Sequence, residues 1–291
     1  MTGKASIGYV GIGLMGLPMA KRLLSLGYAI RAYDIVPAAI EAARKTGATA
    51  TASPAEAVRG ADVVLLNLPT TNAVEVAVFG ENGVASALRP PQLLIDFSTI
   101  PVEKCKAFAS RLREMTGAGW IDAPVSGGPP ASGTGTLTVM AGGDAAEIER
   151  ARPLFADVCG RFTHMGPMGA GLAAKMLNQL IVGAGHAVMA EAVVLAEAAG
   201  LDPARLPECL AGGLADSALL QKLYPRMVKR DYTPQGYVRQ LLKDLEMVNE
   251  FAGALKAPTP MMGEALSLYR MLAHLGHAEL DTAALLKLYE R

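Results

Sequence analysis

Six residues near the amino terminus constrain this chain more than any other feature. Gly11-Ile12-Gly13-Leu14-Met15-Gly16 forms a G-x-G-x-x-G run. An apolar stretch, residues 6–11, precedes it and reads as a strand; residues 14–26 follow with helical spacing and stop at Gly27. Residues 28–34 read as a second strand, closed by Asp34 eighteen positions past Gly16. Alone the glycine pattern is weak, but strand, glycine turn, helix, strand and terminal acid together specify a dinucleotide site. The first glycine allows the tight turn, the second lets the backbone approach a pyrophosphate, and the third lets helix and strand pack closely. The helix start adds free N–H groups and a positive dipole end. Asp34 is placed to accept hydrogen bonds from the adenosine ribose, and its charge repels a 2′-phosphate. Ile35-Val36-Pro37-Ala38 brings no cation to hold such a phosphate, and Arg31 should point elsewhere. The expected cofactor is therefore NAD rather than NADP.

At 291 residues the chain has room for two domains, and 51% hydrophobic residues can fill their cores. Lys+Arg and Asp+Glu both number 27, so net charge gives no reason to expect nucleic acid or an anionic membrane as partner. Cys105, Cys159 and Cys209 are far apart and odd in number, which argues against a disulfide framework or a zinc site and for reduced thiols in the cytoplasm. His164, His186, His274 and His277 lack metal-ligand spacing, so no metal is expected. The amino terminus has no basic segment followed by a long apolar one, so no signal peptide is expected. The longest apolar run, residues 170–199, contains Lys175, Asn178, Gln179, His186, Glu191 and Glu197. A membrane span rarely tolerates so many polar groups, so a buried helix of a soluble protein is expected there.

Further strands are read at residues 62–69, 92–98, 119–126 and 136–141, and a helix at 101–115. Strands separated by helices argue for a parallel sheet covered on both faces. Residues 166–171 form a glycine-rich turn, and beyond it only helical periodicity remains, at 170–199, 203–212, 217–229, 237–252, 260–273 and 282–289. The expected division is an α/β domain over residues 1–165 and an all-helical domain over 166–291.

The sequence resembles the 3-hydroxyisobutyrate dehydrogenase family, also called the β-hydroxyacid dehydrogenases. The likeness lies in GYVGIGLMGLPMAKRL over residues 8–23, in Asp96-Phe97-Ser98-Thr99, and in Asp122-Ala123-Pro124-Val125-Ser126-Gly127-Gly128. It continues in Gly135-Thr136-Leu137, in GAGLAAKMLN over residues 169–178, and in Lys243-Asp244-Leu245. The resemblance implies a Rossmann-type domain, a long connecting helix and an all-α second domain that is oligomeric. It also implies reversible oxidation of a small 3-hydroxy acid by a nicotinamide cofactor.

Alcohol oxidation needs a base where the hydroxyl proton leaves, and the reverse reaction needs an acid at the same place. Lys175, in an apolar helix where desolvation should lower its pKa, is the candidate from the residues and from the resemblance alike. Asn178, three positions on, shares its helix face and is placed to orient the lysine or hold the substrate hydroxyl. Family members often carry a second asparagine next; Gln179 stands here instead, which puts a role for that position in doubt. Ser126-Gly127-Gly128 can form a nest of N–H groups for a carboxylate, which is where the resemblance places the substrate's acid group. Pro129 and Pro130 depart from the usual pattern and should stiffen that loop. Leu68, Pro69, Thr70 and Thr99 follow strands at ends where doubly wound folds bind ligands, and are assigned to the cofactor; a helix-capping role is the other reading of Thr99. By resemblance Lys243 reaches toward nicotinamide or substrate, and Tyr237 is expected to close the pocket. A tartronate-semialdehyde-type reductase and a non-catalytic dinucleotide-binding module remain the alternatives.

Overall fold

The computed structural model describes residues 4–290. The chain forms two compact units, Met1–Lys175 and Met176–Arg291.

The first unit is built on a sheet with nine strands among the described residues. They are β1 (Ser6–Val10), β2 (Ala29–Tyr33), β3 (Thr49–Ala50), β4 (Val63–Leu66), β5 (Leu93–Asp96), β6 (Gly119–Asp122), β7 (Val125–Ser126), β8 (Leu137–Gly142) and β9 (Cys159–Gly166). The spatial order is β3-β2-β1-β4-β5-β6-β8-β7, with β9 on β8. From β3 to β6 every pairing is parallel. β8 runs antiparallel to β6 and β7, so the sheet is mixed at that edge and not parallel throughout. β4, β5 and β6 are apolar runs with few exposed positions, as strands covered on both faces must be. Chain direction across the sheet reverses between β1 and β4, the switch point at which such folds bind ligands.

Connecting helices are α1 (Gly16–Ser25), α2 (Pro37–Lys45), α3 (Pro54–Val58), α4 (Thr71–Phe79), α5 (Val84–Ala87), α6 (Val102–Thr116), α7 (Gly128–Thr134) and α8 (Ala145–Val158). A core containing Ile7, Tyr9, Met19, Leu23, Ile95, Ile121, Val139 and Phe155 fills this unit. The stretch expected as one strand over 119–126 is two, β6 and β7, broken at Ala123-Pro124 because proline cannot donate to a ladder.

Helix α9 (Ala170–Ala198) starts in the first unit and continues into the second. The rest of the second unit holds α10 (Leu206–Leu210), α11 (Ala218–Lys222), α12 (Tyr224–Val228), α13 (Val238–Ala254) and α14 (Pro260–Leu272), with 3₁₀ segments at Pro203–Arg205 and Thr282–Leu288. Leu241, Leu245, Val248, Met262, Leu266, Tyr269, Leu285 and Leu286 are buried there. Gly183 of α9 brings that helix close to α13: a Cβ at this position would stand 2.6 Å from Leu245. By length and composition α9 could cross a membrane. It is not buried all round as its composition suggested, for Leu177, Ile181, Val188 and Leu195 are between 50% and 70% exposed.

Candidate active site

Parallel strands deliver their carboxyl ends to one edge, so the loops after β1, β4, β5 and β6 line up there, about 5 Å apart per strand. After β1, the Gly11 N–H donates to the Tyr33 carbonyl at 2.9 Å and closes the turn. Two of the three motif glycines are explained by the chain itself. A Cβ on Gly11 would lie 2.4 Å from the Asn67 carbonyl oxygen, and one on Gly16 would lie 2.1 Å from that of Gly11. Gly13 differs: a Cβ there would meet nothing within 4 Å. Internal packing does not require glycine at this position, whereas a pyrophosphate lying on bare backbone does.

Asp34 follows β2 directly, beside this turn. Its Oδ2 accepts from the Ile12 N–H at 2.7 Å and its Oδ1 from the Val36 N–H at 2.9 Å. Each carboxylate oxygen keeps a second lone pair for a ribose hydroxyl. Arg31 turns away, donating to the Glu56 carbonyl at 2.9 Å and 3.1 Å. Ile35 is 83% exposed next to Asp34 and offers an apolar surface that the sequence reading passed over.

After β4, the Leu68 N–H donates to Ser98 Oγ at 2.9 Å, and the Ser98 N–H donates to Asp96 Oδ1 at 2.8 Å. This chain ties the loop of Leu68, Pro69 and Thr70 to the end of β5. The Thr70 hydroxyl caps α4 by accepting from the Ala73 N–H at 3.1 Å. Thr99 follows Ser98 and is half-buried, two residues before Pro101, which flanks the start of α6.

After β6 comes the serine–glycine segment. Gly127 and Gly128 take φ of 127° and 70°, which side chains rarely adopt, and a Cβ on Gly127 would lie 2.7 Å from Ala131 Cβ. Pro129 and Pro130 are not in a loop as expected but in the first turn of α7, where their missing N–H groups break no helical bond. That leaves the Gly127 and Gly128 N–H groups and the Ser126 hydroxyl as donors here. Ser132, fully buried, donates to the Met15 carbonyl at 2.9 Å and so ties α7 to the glycine turn.

Lys175 lies in the second turn of α9. It is 7% exposed, and its Nζ donates to the Val125 carbonyl at 2.7 Å, one residue from Ser126. It is therefore not a surface lysine. Asp122, at the end of β6, receives the start of this helix: Oδ1 accepts from the Gly169 N–H and Oδ2 from the Leu172 N–H, both at 2.8 Å. Burial pushes the Asp122 carboxyl up to about 6 against these hydrogen bonds, and pushes that of Asp96 up to about 7, with Asp122 adding to the rise. The first unit thus brings together Gly11 to Gly16, Asp34, Leu68 to Thr70, Thr99, Ser126 to Gly128, and Lys175.

In the second unit, Asn178 Nδ2 donates to Gln179 Oε1 at 2.7 Å, and Gln179 Nε2 donates to Asp244 Oδ2 at 2.6 Å. Lys243 pairs with Asp244 at 3.0 Å. Gln179, whose role was in doubt, is the buried link between Asn178 and α13. Its signal in the sequence was an uncharged polar residue four positions after Lys175 in an apolar helix. Because a carboxylate only accepts, Gln179 must turn its amide nitrogen toward Asp244 and its oxygen toward Asn178. The Tyr237 ring stacks beneath the Arg239 guanidinium, 4.5 Å away, at the start of α13. His186 is buried against the Tyr269 hydroxyl at 2.7 Å, and burial lowers its pKa to about 4.

A glycine turn at the β1/β4 switch point, with an acid just after β2, defines a dinucleotide-binding protein. Residues 6–166 match the family described as the NAD binding domain of 6-phosphogluconate dehydrogenase, and residues 169–289 match that described as NAD-binding of NADP-dependent 3-hydroxyisobutyrate dehydrogenase. An NAD-dependent L-serine dehydrogenase of Pseudomonas aeruginosa is 37% identical over 98% of this chain and 97% of its own length. A 2-hydroxy-3-oxopropionate reductase of Escherichia coli is 34% identical, over 98% and 97%. The solved structure of Mycobacterium tuberculosis 3-hydroxyisobutyrate dehydrogenase with L-serine superimposes with a TM-score of 0.88 at 32% identity, covering 99% of both chains. The chain belongs to the 3-hydroxyisobutyrate dehydrogenase, or β-hydroxyacid dehydrogenase, family.

Proposed function

We propose that this enzyme interconverts a small 3-hydroxy acid, 3-hydroxyisobutyrate-like, and its semialdehyde with NAD as cofactor. The carrying observation is the buried Lys175 Nζ held 2.7 Å from the Val125 carbonyl, beside the donors of Ser126, Gly127 and Gly128. An acid–base group next to a carboxylate nest suits a substrate that carries its hydroxyl close to its acid group. The nicotinamide, when bound, supplies the hydride acceptor. Lys175 takes the hydroxyl proton in oxidation and returns it in reduction, so the reductase direction uses the same residues. Ser126, Gly127 and Gly128 hold the carboxylate, Asn178 orients the hydroxyl or the lysine, and Tyr237 closes the pocket. Gly11, Ile12, Gly13, Leu14, Met15, Gly16, Asp34, Leu68, Pro69, Thr70, Thr99 and Lys243 hold the cofactor. In this reading residues 1–165 form the cofactor domain, which also carries the carboxylate nest, and residues 166–291 form the substrate and assembly domain, which adds Lys243 to the cofactor. The three free cysteines fit a cytoplasmic setting.

The substrate class is tested by turnover of 3-hydroxy acids, each beside its neutral amide. The free acid should be strongly preferred, because each donor left unpaired by the amide costs about 1–3 kcal/mol. Equal efficiency would place the substrate elsewhere.

Preference for NAD over NADP follows from Asp34, with no cation turned toward it from Arg31. Steady-state kinetics with both cofactors on one acid should favour NAD. Asp34→Ala should narrow that preference by relieving repulsion, without creating a phosphate site. Higher efficiency with NADP in the parent enzyme would remove Asp34 from this role.

The exposed stripe of Leu177, Ile181, Val188 and Leu195 along α9 supports a homo-oligomer, since so long an apolar face is rarely left to water. Sedimentation should show a dimer or larger species, and Ile181→Asp with Val188→Asp should shift it toward monomer. A parent chain that is monomeric at every accessible concentration would refute the assembly.

A further inference from the structure

The start of α9 is held in an unusual way. A helix needs acceptors for its first N–H groups, and the residue just before it usually supplies one from a serine, threonine, aspartate or asparagine side chain. Here Gly169 occupies that place and has no side chain. The acceptors come instead from Asp122, about fifty positions back in the chain, whose two oxygens take the Gly169 and Leu172 N–H groups at 2.8 Å each. Glycines pack closely around this carboxylate and the neighbouring backbone, the Met140 carbonyl included. A Cβ on Gly142 would lie 2.5 Å from Asp122 Oδ1, and one on Gly171 would lie 2.9 Å from Oδ2.

A local cap would stabilise the helix equally well. A cap borrowed from a strand end does something more: it fixes where the helix stands relative to that strand. Three residues beyond Asp122 is Val125, and three residues beyond Leu172 is Lys175. These two meet again, through Nζ and the carbonyl oxygen at 2.7 Å. Strand end and helix start are thus pinned twice within one helical turn. The second pin carries the group assigned to proton transfer, beside Ser126.

We propose that Asp122 is a positioning residue for the reaction, setting the register of Lys175 against Val125 and Ser126. The proposal rests on the reading of Lys175 as the acid–base group. Asp122→Asn keeps the shape but replaces one accepting oxygen with an NH₂ that faces an N–H donor, so the helix start must shift. A displacement on the order of 1 Å costs up to about a hundredfold in rate. kcat should fall by about tenfold or more, and NAD affinity should stay near the parental value.

A double-mutant cycle separates positioning from mere stabilisation. The parent, Asp122→Asn, Lys175→Ala and the double variant are compared for kcat with NAD and the best 3-hydroxy acid, on protein shown by circular dichroism to be folded. If Asp122 acts through Lys175, the double variant should be no slower than Lys175→Ala alone. If Asp122→Asn slows the Lys175→Ala protein by the same factor as the parent, the positioning role is refuted while the lysine reading stands. If Lys175→Ala by itself turns over at the parental rate, the lysine reading fails first, and the positioning role fails with it. Should Asp122→Asn not fold, Asp122→Ser, whose hydroxyl can still accept one N–H, takes its place in the cycle with the same outcomes.

Discussion

Lys175→Ala should lower turnover by about a hundredfold or more, the usual scale of general acid–base catalysis. The side chain is buried with its Nζ on the Val125 carbonyl, so alanine removes the proposed proton carrier without touching the contacts of the glycine turn. Ile12 and Val36 would still hold Asp34, and NAD should bind with near-parental affinity by titration calorimetry. Lys175→Arg should not restore activity. A guanidinium keeps its charge across the working pH range and cannot cycle a proton. Recovery of a substantial rate by arginine would mean that position 175 supplies only positive charge.

The largest expected effect on stability lies in the second unit, at Asp281. This residue is 1% exposed, and its carboxylate accepts four hydrogen bonds. Arg226 donates to its Oδ1 at 2.9 Å, and the N–H groups of Gln235, Gly236 and Ala283 donate at 2.6 Å, 3.1 Å and 3.0 Å. Its own N–H donates to the Tyr232 carbonyl at 3.1 Å. The carboxylate thereby fastens the segment leading into α13 to the start of the Thr282–Leu288 segment. Asp281→Ala leaves three N–H groups unanswered and takes one acceptor from the Arg226 guanidinium, which keeps Asp231 and the Thr233 carbonyl. A buried donor left without its acceptor costs about 1–3 kcal/mol. Urea unfolding followed by far-ultraviolet circular dichroism should show the helical transition at clearly lower denaturant. A loss below about 1 kcal/mol would mean that water replaces the carboxylate without penalty, at odds with its burial.

The glycine turn and Asp34 were legible in the sequence because their information is local: a turn, a helix start and the next strand end lie within a short stretch. Lys175 was legible for a similar reason, as a charge in an apolar helix. Asp122 was not, since its partners stand far away in the chain, and spacing marked Gln179 only as a polar residue in an apolar helix, without its bond to Asp244. Some elements were hidden by composition. α4 is rich in valine, which favours strands by propensity, and forms a helix because Val74 and Val78 are buried. α8 contains Pro153, and β9 is largely exposed with no alternation to betray it. The prolines after Gly128 suggested a stiff loop, yet α7 begins there because proline suits a first helical turn. The length of α9 was legible, but its exposed stripe was not, because an apolar residue left exposed and one facing a core look alike in sequence.

The most direct measurement of the central claim is chemical rescue of the Lys175→Ala enzyme. Small primary amines of graded basicity would be added to the variant with NAD and a 3-hydroxy acid, and formation of reduced nicotinamide followed by absorbance. If Lys175 carries the proton, the cavity left by its side chain admits the amine, and the rate should rise with the concentration of free amine and follow its basicity. A folded, NAD-binding Lys175→Ala enzyme that turns over near the parental rate and ignores every amine would contradict the account.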